Sequence, residues 1–169
     1  PIELYGHGLH VATCPYPINT AAPAAWHHAL GRPDVVLARR HALKAGCLEA
    51  VLTDPAGAVI GTTEGELFLV RSGAVARVGL TGGVEADAVW EFAAEQYPGA
   101  PTRSVTPGAL AEADEVFLVG TACGVIGVVC VDGRVVGSGT EGPVTRAVRD
   151  EYRKLTRGQD TIPTEGGAP

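Results

Sequence analysis

Trp26-His27-His28-Ala29-Leu30-Gly31-Arg32-Pro33-Asp34-Val35-Val36-Leu37-Ala38-Arg39-Arg40-His41-Ala42-Leu43-Lys44-Ala45-Gly46 is the stretch on which the fold of this chain turns. Its second half reads as a helix. Pro33 and Asp34 suit a first turn, where a missing N–H and a negative charge are both tolerated. Gly46 suits the position just past the end. At helical spacing Val35, Val36, Ala38, Ala42, Leu43 and Ala45 share one broad apolar arc. Arg40, His41 and Lys44 lie opposite, and Arg39 falls inside the apolar arc.

Outward from this helix the chain alternates short strands and helices. Residues 8 to 14 alternate as a strand, and the proline-punctuated residues 15 to 25 read as an irregular connector. After the helix, Glu49 to Asp54 and Ala58 to Thr62 read as a hairpin turned by Pro55-Ala56-Gly57. Glu66 to Arg71 and Ala74 to Val78 form a second hairpin, turned by Ser72-Gly73. A helix is expected from Glu85 to Tyr97, with Val89, Phe92, Ala93 and Tyr97 facing inward. Thr102 to Thr106 reads as a short strand and Pro107 to Asp114 as one or two helical turns. Glu115 to Gly120 and Val125 to Val131 read as buried strands, the second turned by Asp132-Gly133 into Arg134 to Val136. Pro143 opens a last helix carrying Val144, Val148, Tyr152 and Leu155 at helical spacing, ended by Gly158. The alternation predicts one α/β domain over residues 1–158, with a flexible tail over 159–169.

The chain has 169 residues and a formal net charge of −6, with both signs interspersed. That balance argues against a nucleic-acid or anionic-membrane partner. No apolar run approaches the roughly 20 residues that span a bilayer. The opening Pro1-Ile2-Glu3 shows no leader-like segment. The four cysteines, with no CxxC pair, read as reduced thiols, so a cytoplasmic protein is expected. The bias to Ala, Gly, Val and Arg over Lys, Ile and Asn points to a GC-rich bacterial genome.

Three segments carry a family resemblance: Leu37-Ala38-Arg39-Arg40-His41-Ala42, the run Gly57 to Phe68, and Ala113-Asp114-Glu115-Val116-Phe117-Leu118-Val119-Gly120-Thr121-Ala122 continuing through Asp132-Gly133-Arg134 to Gly142-Pro143-Val144-Thr145-Arg146. Together they resemble the pyridoxal-phosphate enzymes of fold type IV, the class IV aminotransferases and aminodeoxychorismate lyases. The resemblance runs from about Gly8 to Arg157 and covers only the C-terminal domain of those enzymes. It implies a mixed, barrel-like sheet flanked by three or so helices, without their N-terminal domain. It also implies a homodimer, or a partner chain that supplies the missing wall of the pocket. The inherited pocket is expected near residues 61 to 66 and 120 to 125, closed by residues 27 to 32.

The cofactor-binding residues that the resemblance implies are not kept. Ungapped alignment places His28, or His27 at the outside, where the family has its Schiff-base lysine, and an imidazole forms no imine. The lysines present are Lys44 and Lys154. The family's Glu-x-Thr-x-x-Asn-x-Phe becomes Gly61-Thr62-Thr63-Glu64-Gly65-Glu66-Leu67-Phe68. Gly61 replaces the glutamate that pairs with the pyridinium nitrogen, and Glu66 replaces the asparagine. Glu64 is shifted by three positions, either a solvated carboxylate or a ligand of a remodelled site. Leu80-Thr81-Gly82-Gly83-Val84 runs straight into Glu85-Ala86-Asp87, about four residues short of the family loop whose amides hold the cofactor phosphate. The two early carboxylates suit the helix dipole but would repel a phosphate, which disfavours an anion site here. Thr121 matches a threonine that contacts this phosphate, and a structural strand-end turn explains its presence equally well.

The expectation from these departures is an enzyme that uses no cofactor and binds no metal. His28 or His27 would do acid–base work of a lyase, isomerase or cyclase kind on a small anionic metabolite. Cys123 is a nucleophile candidate beside a histidine, or else a small buried residue. Arg32 and Arg39 are candidates for a substrate carboxylate, with Thr63, Glu64 and Thr121 completing the lining. For Arg39 the alternative is an internal ion pair with Glu49 or Asp54. Two other readings stay open: a non-catalytic protein that binds a ligand or a partner, and a pyridoxal-phosphate enzyme that uses Lys44.

Overall fold

A computed structural model describes residues 6–22, 32–79, 83–99 and 105–157. Eight strands and four helices follow in order among them: β1 (Leu9–Thr13), α1 (Pro33–Lys44), β2 (Glu49–Thr53), β3 (Val59–Thr62), β4 (Glu66–Arg71), β5 (Ala74–Val78), α2 (Val84–Gln96), α3 (Pro107–Ala111), β6 (Glu115–Gly120), β7 (Gly124–Val131), β8 (Arg134–Val135) and α4 (Pro143–Arg157). The sheet order is β3-β2-β1-β7-β6-β4-β5, with β8 paired to β7. β1 runs parallel to β2 and β7, and the other pairs are antiparallel, so the sheet is mixed. Its ends curl toward each other into a nearly closed barrel. At Gly79, after β5, a Cβ would lie 2.6 Å from the Ile60 carbonyl oxygen in β3, and Gly79 has φ +114.

Period-two alternation sorts side chains between the inside and the outside of this sheet. Leu9, Val11, Val51, Val59, Leu67, Leu69, Val116, Leu118, Ile126 and Val128 belong to one buried cluster within the barrel. Their alternates Phe68, Val70, Phe117, Val119 and Val125 join Ala86, Val89 and Ala93 of α2 and Val148 of α4 in a second. Phe68 and Phe117 are register partners, and their rings stack 5.0 Å apart. Ala12, Cys14, Ala50, Leu52 and Ile60 form a third cluster beneath Ala38 and Ala42 of α1.

Several expected details change. The buried face of α1 is narrower than the arc suggested: Ala38 and Ala42 are fully buried, whereas Val36, Leu43 and Ala45 are exposed. The small alanines let α1 lie close on the sheet, and the larger side chains project away. Leu155 of α4 is likewise exposed. On α2, Val89 and Ala93 are buried, Phe92 and Tyr97 pack only partly, and Trp90 also joins the cluster. Val105 and Thr106 are not strand; Val105 instead accepts a hydrogen bond from the Val59 amide, and Thr106 caps α3 by accepting from Ala109 N. Residues 100–104 and the tail 158–169 lie outside the described residues. Among the described residues, no helix is long and apolar enough to cross a membrane.

Asp132-Gly133 makes the β7–β8 turn with φ +50 and +77, the left-handed pair that such a turn requires. Asp132 also ties this turn to β1: it accepts from Thr13 N at 2.7 Å and from the Thr13 hydroxyl at 2.6 Å. At the opposite end of β7, the turn at 120–124 abuts the turn at 62–65. A Cβ at Gly65 would sit 2.1 Å from the Val119 carbonyl oxygen, and one at Gly120 2.6 Å from that of Glu64. Two glycines thus allow backbones to touch where the candidate residues gather.

Candidate functional site

Glu49 organises this end of the sheet. It heads β2, a strand buried at every position, so its carboxylate enters a region where water cannot solvate it and partners must. Oε1 accepts from Ala50 N at 2.9 Å, from Thr63 N at 3.0 Å and from the Thr63 hydroxyl. Oε2 accepts from Arg39 Nη1 at 2.5 Å. The same nitrogen lies 3.2 Å from Thr63 Oγ1 and 3.4 Å from Glu64 Oε1. Burial nevertheless raises the Glu49 pKa, against the opposing pull of Thr63, the two amides and Arg39.

Cys123 faces the same group. Its thiol is pushed up to about 11, chiefly by burial and further by the charges of Glu49 and Glu64. Sγ lies near the carbonyls of Gly120 and Gly124. Such a thiol stays protonated at neutral pH and is a poor nucleophile.

A second constellation sits at the start of α2. Glu66 is buried; Oε1 accepts from Gly83 N at 2.6 Å, and Oε2 accepts from Arg77 Nε at 2.6 Å. The other arm of Arg77 donates to Asp87 Oδ1 at 2.6 Å. Glu85, in the first turn of α2, accepts from the Thr121 hydroxyl at 2.8 Å. Carboxylates therefore meet the backbone and hydroxyl donors at a helix N-terminus, where negative charge is favourable.

Arg32 turns toward its own helix. Nε donates to Asp34 Oδ1 at 2.9 Å and Nη2 to Oδ2 at 2.8 Å, a fork that raises the Arg32 pKa and lowers that of Asp34. His27 and His28 lie outside the described residues. The structure thus brings Arg39, Thr63, Glu64 and Cys123 around Glu49, and pairs Thr121 with Glu85. It does not turn Arg32 toward them. Glu85 was read as a carboxylate at the helix N-terminus and Glu66 as standing at the family asparagine, but their partners Thr121, Gly83 and Arg77 were missed. The legible signals of the two acids were a carboxylate opening an apolar strand, and another in the first turn of a helix.

Pyridoxal phosphate, which the resemblance implies, does not fit these residues. Lys44 ends α1 exposed and Lys154 pairs with Glu151 on α4, so neither faces the Glu49 cluster. Gly61, which the resemblance sets at the place of the ring-nitrogen carboxylate, has φ +141, a conformation L side chains rarely adopt. Glu64, the carboxylate nearest in sequence, lies against Arg39. Donors at the α2 N-terminus already hold carboxylates. Among the described residues, no group of three or more His, Cys, Asp and Glu is placed to hold a metal ion.

Residues 4–131 match the family model described as amino-transferase class IV. The branched-chain-amino-acid aminotransferase of Pseudomonas aeruginosa is 31% identical over 127 residues, 73% of this chain and 41% of that protein. The D-alanine aminotransferase of Bacillus licheniformis is 29% identical over 118 residues, 68% of this chain and 41% of the other. Among solved structures, the holo form of the branched-chain amino acid aminotransferase from Thermobaculum terrenum superposes with a TM-score of 0.83 at 28% identity, covering 92% of this chain and 53% of that one. The branched-chain aminotransferase from Thermoproteus uzoniensis with norvaline gives 0.81 at 25% identity, covering 92% and 53%. The chain spans about half the length, or less, of the relatives it matches.

Proposed function

The chain belongs to the amino-transferase class IV family, and we propose that it is a member that works without pyridoxal phosphate, as a non-catalytic domain that binds a ligand or a partner. The observation that supports this most directly is the internal pairing of the candidate residues. Arg39 and Thr63 bind Glu49, Thr121 binds Glu85, Arg32 binds Asp34, and the Cys123 thiol is held protonated. A binding site for a carboxylate or phosphate substrate needs cations and hydroxyls whose strongest partner is the ligand. Here the strongest partners are the chain's own carboxylates.

Charge points the same way. At this end of the barrel Glu49 and Glu64 face Arg39, Glu66 and Asp87 face Arg77, and Glu85 accepts from Thr121. That excess weighs against a small anionic metabolite as the ligand. Acid–base catalysis by His28 or His27 rests on residues outside the described set and draws no support from the groups described. Four free cysteines suit a reducing compartment, so we place the protein in the cytoplasm.

The test is an absorbance spectrum of the protein with pyridoxal phosphate, followed by borohydride reduction and intact mass. A flat spectrum and unchanged mass are expected. An imine band and a reduced adduct on Lys44 or Lys154 would overturn the reading and return the chain to the transaminase chemistry that its relatives' names describe.

A further inference from the structure

We propose that Glu66 and Glu85 are built-in anions that occupy the place where this family holds its cofactor phosphate, so that the α2 N-terminus is closed to phosphorylated ligands in general. The inference rests on the cofactor-free reading above and extends it from pyridoxal phosphate to a ligand class.

The geometry supports substitution of one anion by another. Phosphate sites at helix N-termini are made of backbone N–H groups, a hydroxyl and often an arginine. All three donor types are present, and each meets a carboxylate. Gly83, the N-cap of the thirteen-residue α2, donates its amide to Glu66 Oε1, and Arg77 donates Nε to Glu66 Oε2, both at 2.6 Å. The Thr121 hydroxyl donates to Glu85 Oε1 at 2.8 Å. A Cβ placed on Gly83 would lie 3.6 Å from Glu66 Oε1 and 3.9 Å from Glu85 Oε2, so both carboxylates border the same small space.

Position and burial distinguish this arrangement from a chance cluster of acids. Glu66 is 4% exposed and stands on β4, not on α2. Its carboxylate crosses to the helix from a different element, as a bound phosphate would. A phosphate entering here would displace Glu66 from two charge-assisted or dipole-favoured hydrogen bonds, and it would meet the Glu85 carboxylate that borders the same space. Like-charge repulsion in a partly buried site opposes a second anion there.

The test uses inorganic phosphate alone as the probe, with binding read by calorimetry and by the Thr121 amide resonance. The wild-type chain is compared with Glu66→Asn/Glu85→Ala. The double variant removes both charges and shortens the side chain that fills the space. It should bind phosphate about tenfold more tightly than the wild type, or better. Adding Thr121→Val to it should abolish the gain. If the double variant does not fold, Glu85→Ala alone, at a half-buried position in the first turn of α2, should show a smaller gain through the released Thr121 hydroxyl.

Wild-type binding as tight as that of the variant would overturn the proposal, as would a folded variant that binds no phosphate. These outcomes are independent of the borohydride test. An imine without phosphate binding would sink the cofactor-free reading and leave this inference standing. Phosphate binding without an imine would do the reverse.

Discussion

The guanidinium of Arg39, on the sheet side of α1, meets the carboxylate of Glu49 at the head of β2, with 2.5 Å between Nη1 and Oε2. The carboxylate is almost fully buried while the arginine is about one-third exposed, with side-chain exposures of 3% and 35%. This asymmetry sets the consequences of breaking the pair. Arg39→Ala strands a buried carboxylate and should destabilise the domain by about 2 kcal/mol, below the full cost of a wholly buried pair because water reaches one partner. Urea unfolding monitored by far-UV circular dichroism measures it. A change within error would mean that Thr63 and the backbone amides alone satisfy Glu49.

Glu49 and Glu141, two of the buried carboxylates, should shape the pH dependence in opposite directions. Burial raises the Glu49 pKa above the ordinary 4.5. Its contribution to stability is therefore fully present below that value and lost as pH rises through the folded value. Burial also pushes Glu141 up, but Arg149 at 2.6 Å and the Gly127 amide at 2.8 Å outweigh it and hold the pKa below 4.5. Its contribution is present above 4.5 and lost as pH falls through the folded value. Glu49→Gln should flatten the loss on the rising side, and Glu141→Gln the loss on the acid side. Urea midpoints across the acid-to-neutral range distinguish the two, and identical profiles would contradict this assignment.

Cys123 should be slow to alkylate. A thiol held at about 11 against an ordinary 9.0 carries about a hundredfold less thiolate at neutral pH than an unperturbed one. Iodoacetamide labelling of native protein, followed by peptide mass mapping, gives the rate. Labelling at the speed of a free thiol would restore Cys123 as a nucleophile candidate. Above pH 9 the unfolded chain ionises first, so this group's share of stability should fall between 9 and about 11.

Gly65→Ala should be among the most damaging single substitutions at this end of the barrel. Its Cβ would come within 2.1 Å of the Val119 carbonyl oxygen and 3.0 Å of the Gly120 Cα. These neighbours are backbone and cannot swing aside, so the β4 entry would have to move away from β6. A loss of about 3 kcal/mol is expected, read as a lowered urea midpoint. Gly73→Ala provides a contrast: nothing lies within 4 Å of its Cβ, and its φ of +79 confines the cost to backbone strain.

Much of the fold was legible in the sequence, because local rules govern it. The short apolar runs of Glu66–Arg71 and Glu115–Gly120, the Asp132-Gly133 turn and the proline openings of α1 and α4 each depend on residues a few positions apart. The departures from the family pattern at Gly61 and Glu66 were readable for the same reason, since a motif is a local spacing. Leu155 and the outer half of α1 were misread because helical periodicity reports which residues share a face, not how far the neighbouring sheet extends beneath it.

The partners at the site were a different matter. Ten positions separate Arg39 from Glu49, seventeen separate Glu66 from Gly83, and thirty-six separate Glu85 from Thr121. The Arg39–Glu49 pair was one of two options, and the Glu66 and Glu85 pairs were not foreseen. Composition supplied the carboxylates and arginines, and the motifs, set against the resemblance, placed a histidine and Gly61 where the family has its lysine and ring-nitrogen acid. Which carboxylate meets which donor was decided by the strand register and by the close approach of the 62–65 and 120–124 turns. A charge in a buried site takes whichever partner the packed backbone brings within hydrogen-bonding distance, and that distance exists only after the barrel has closed.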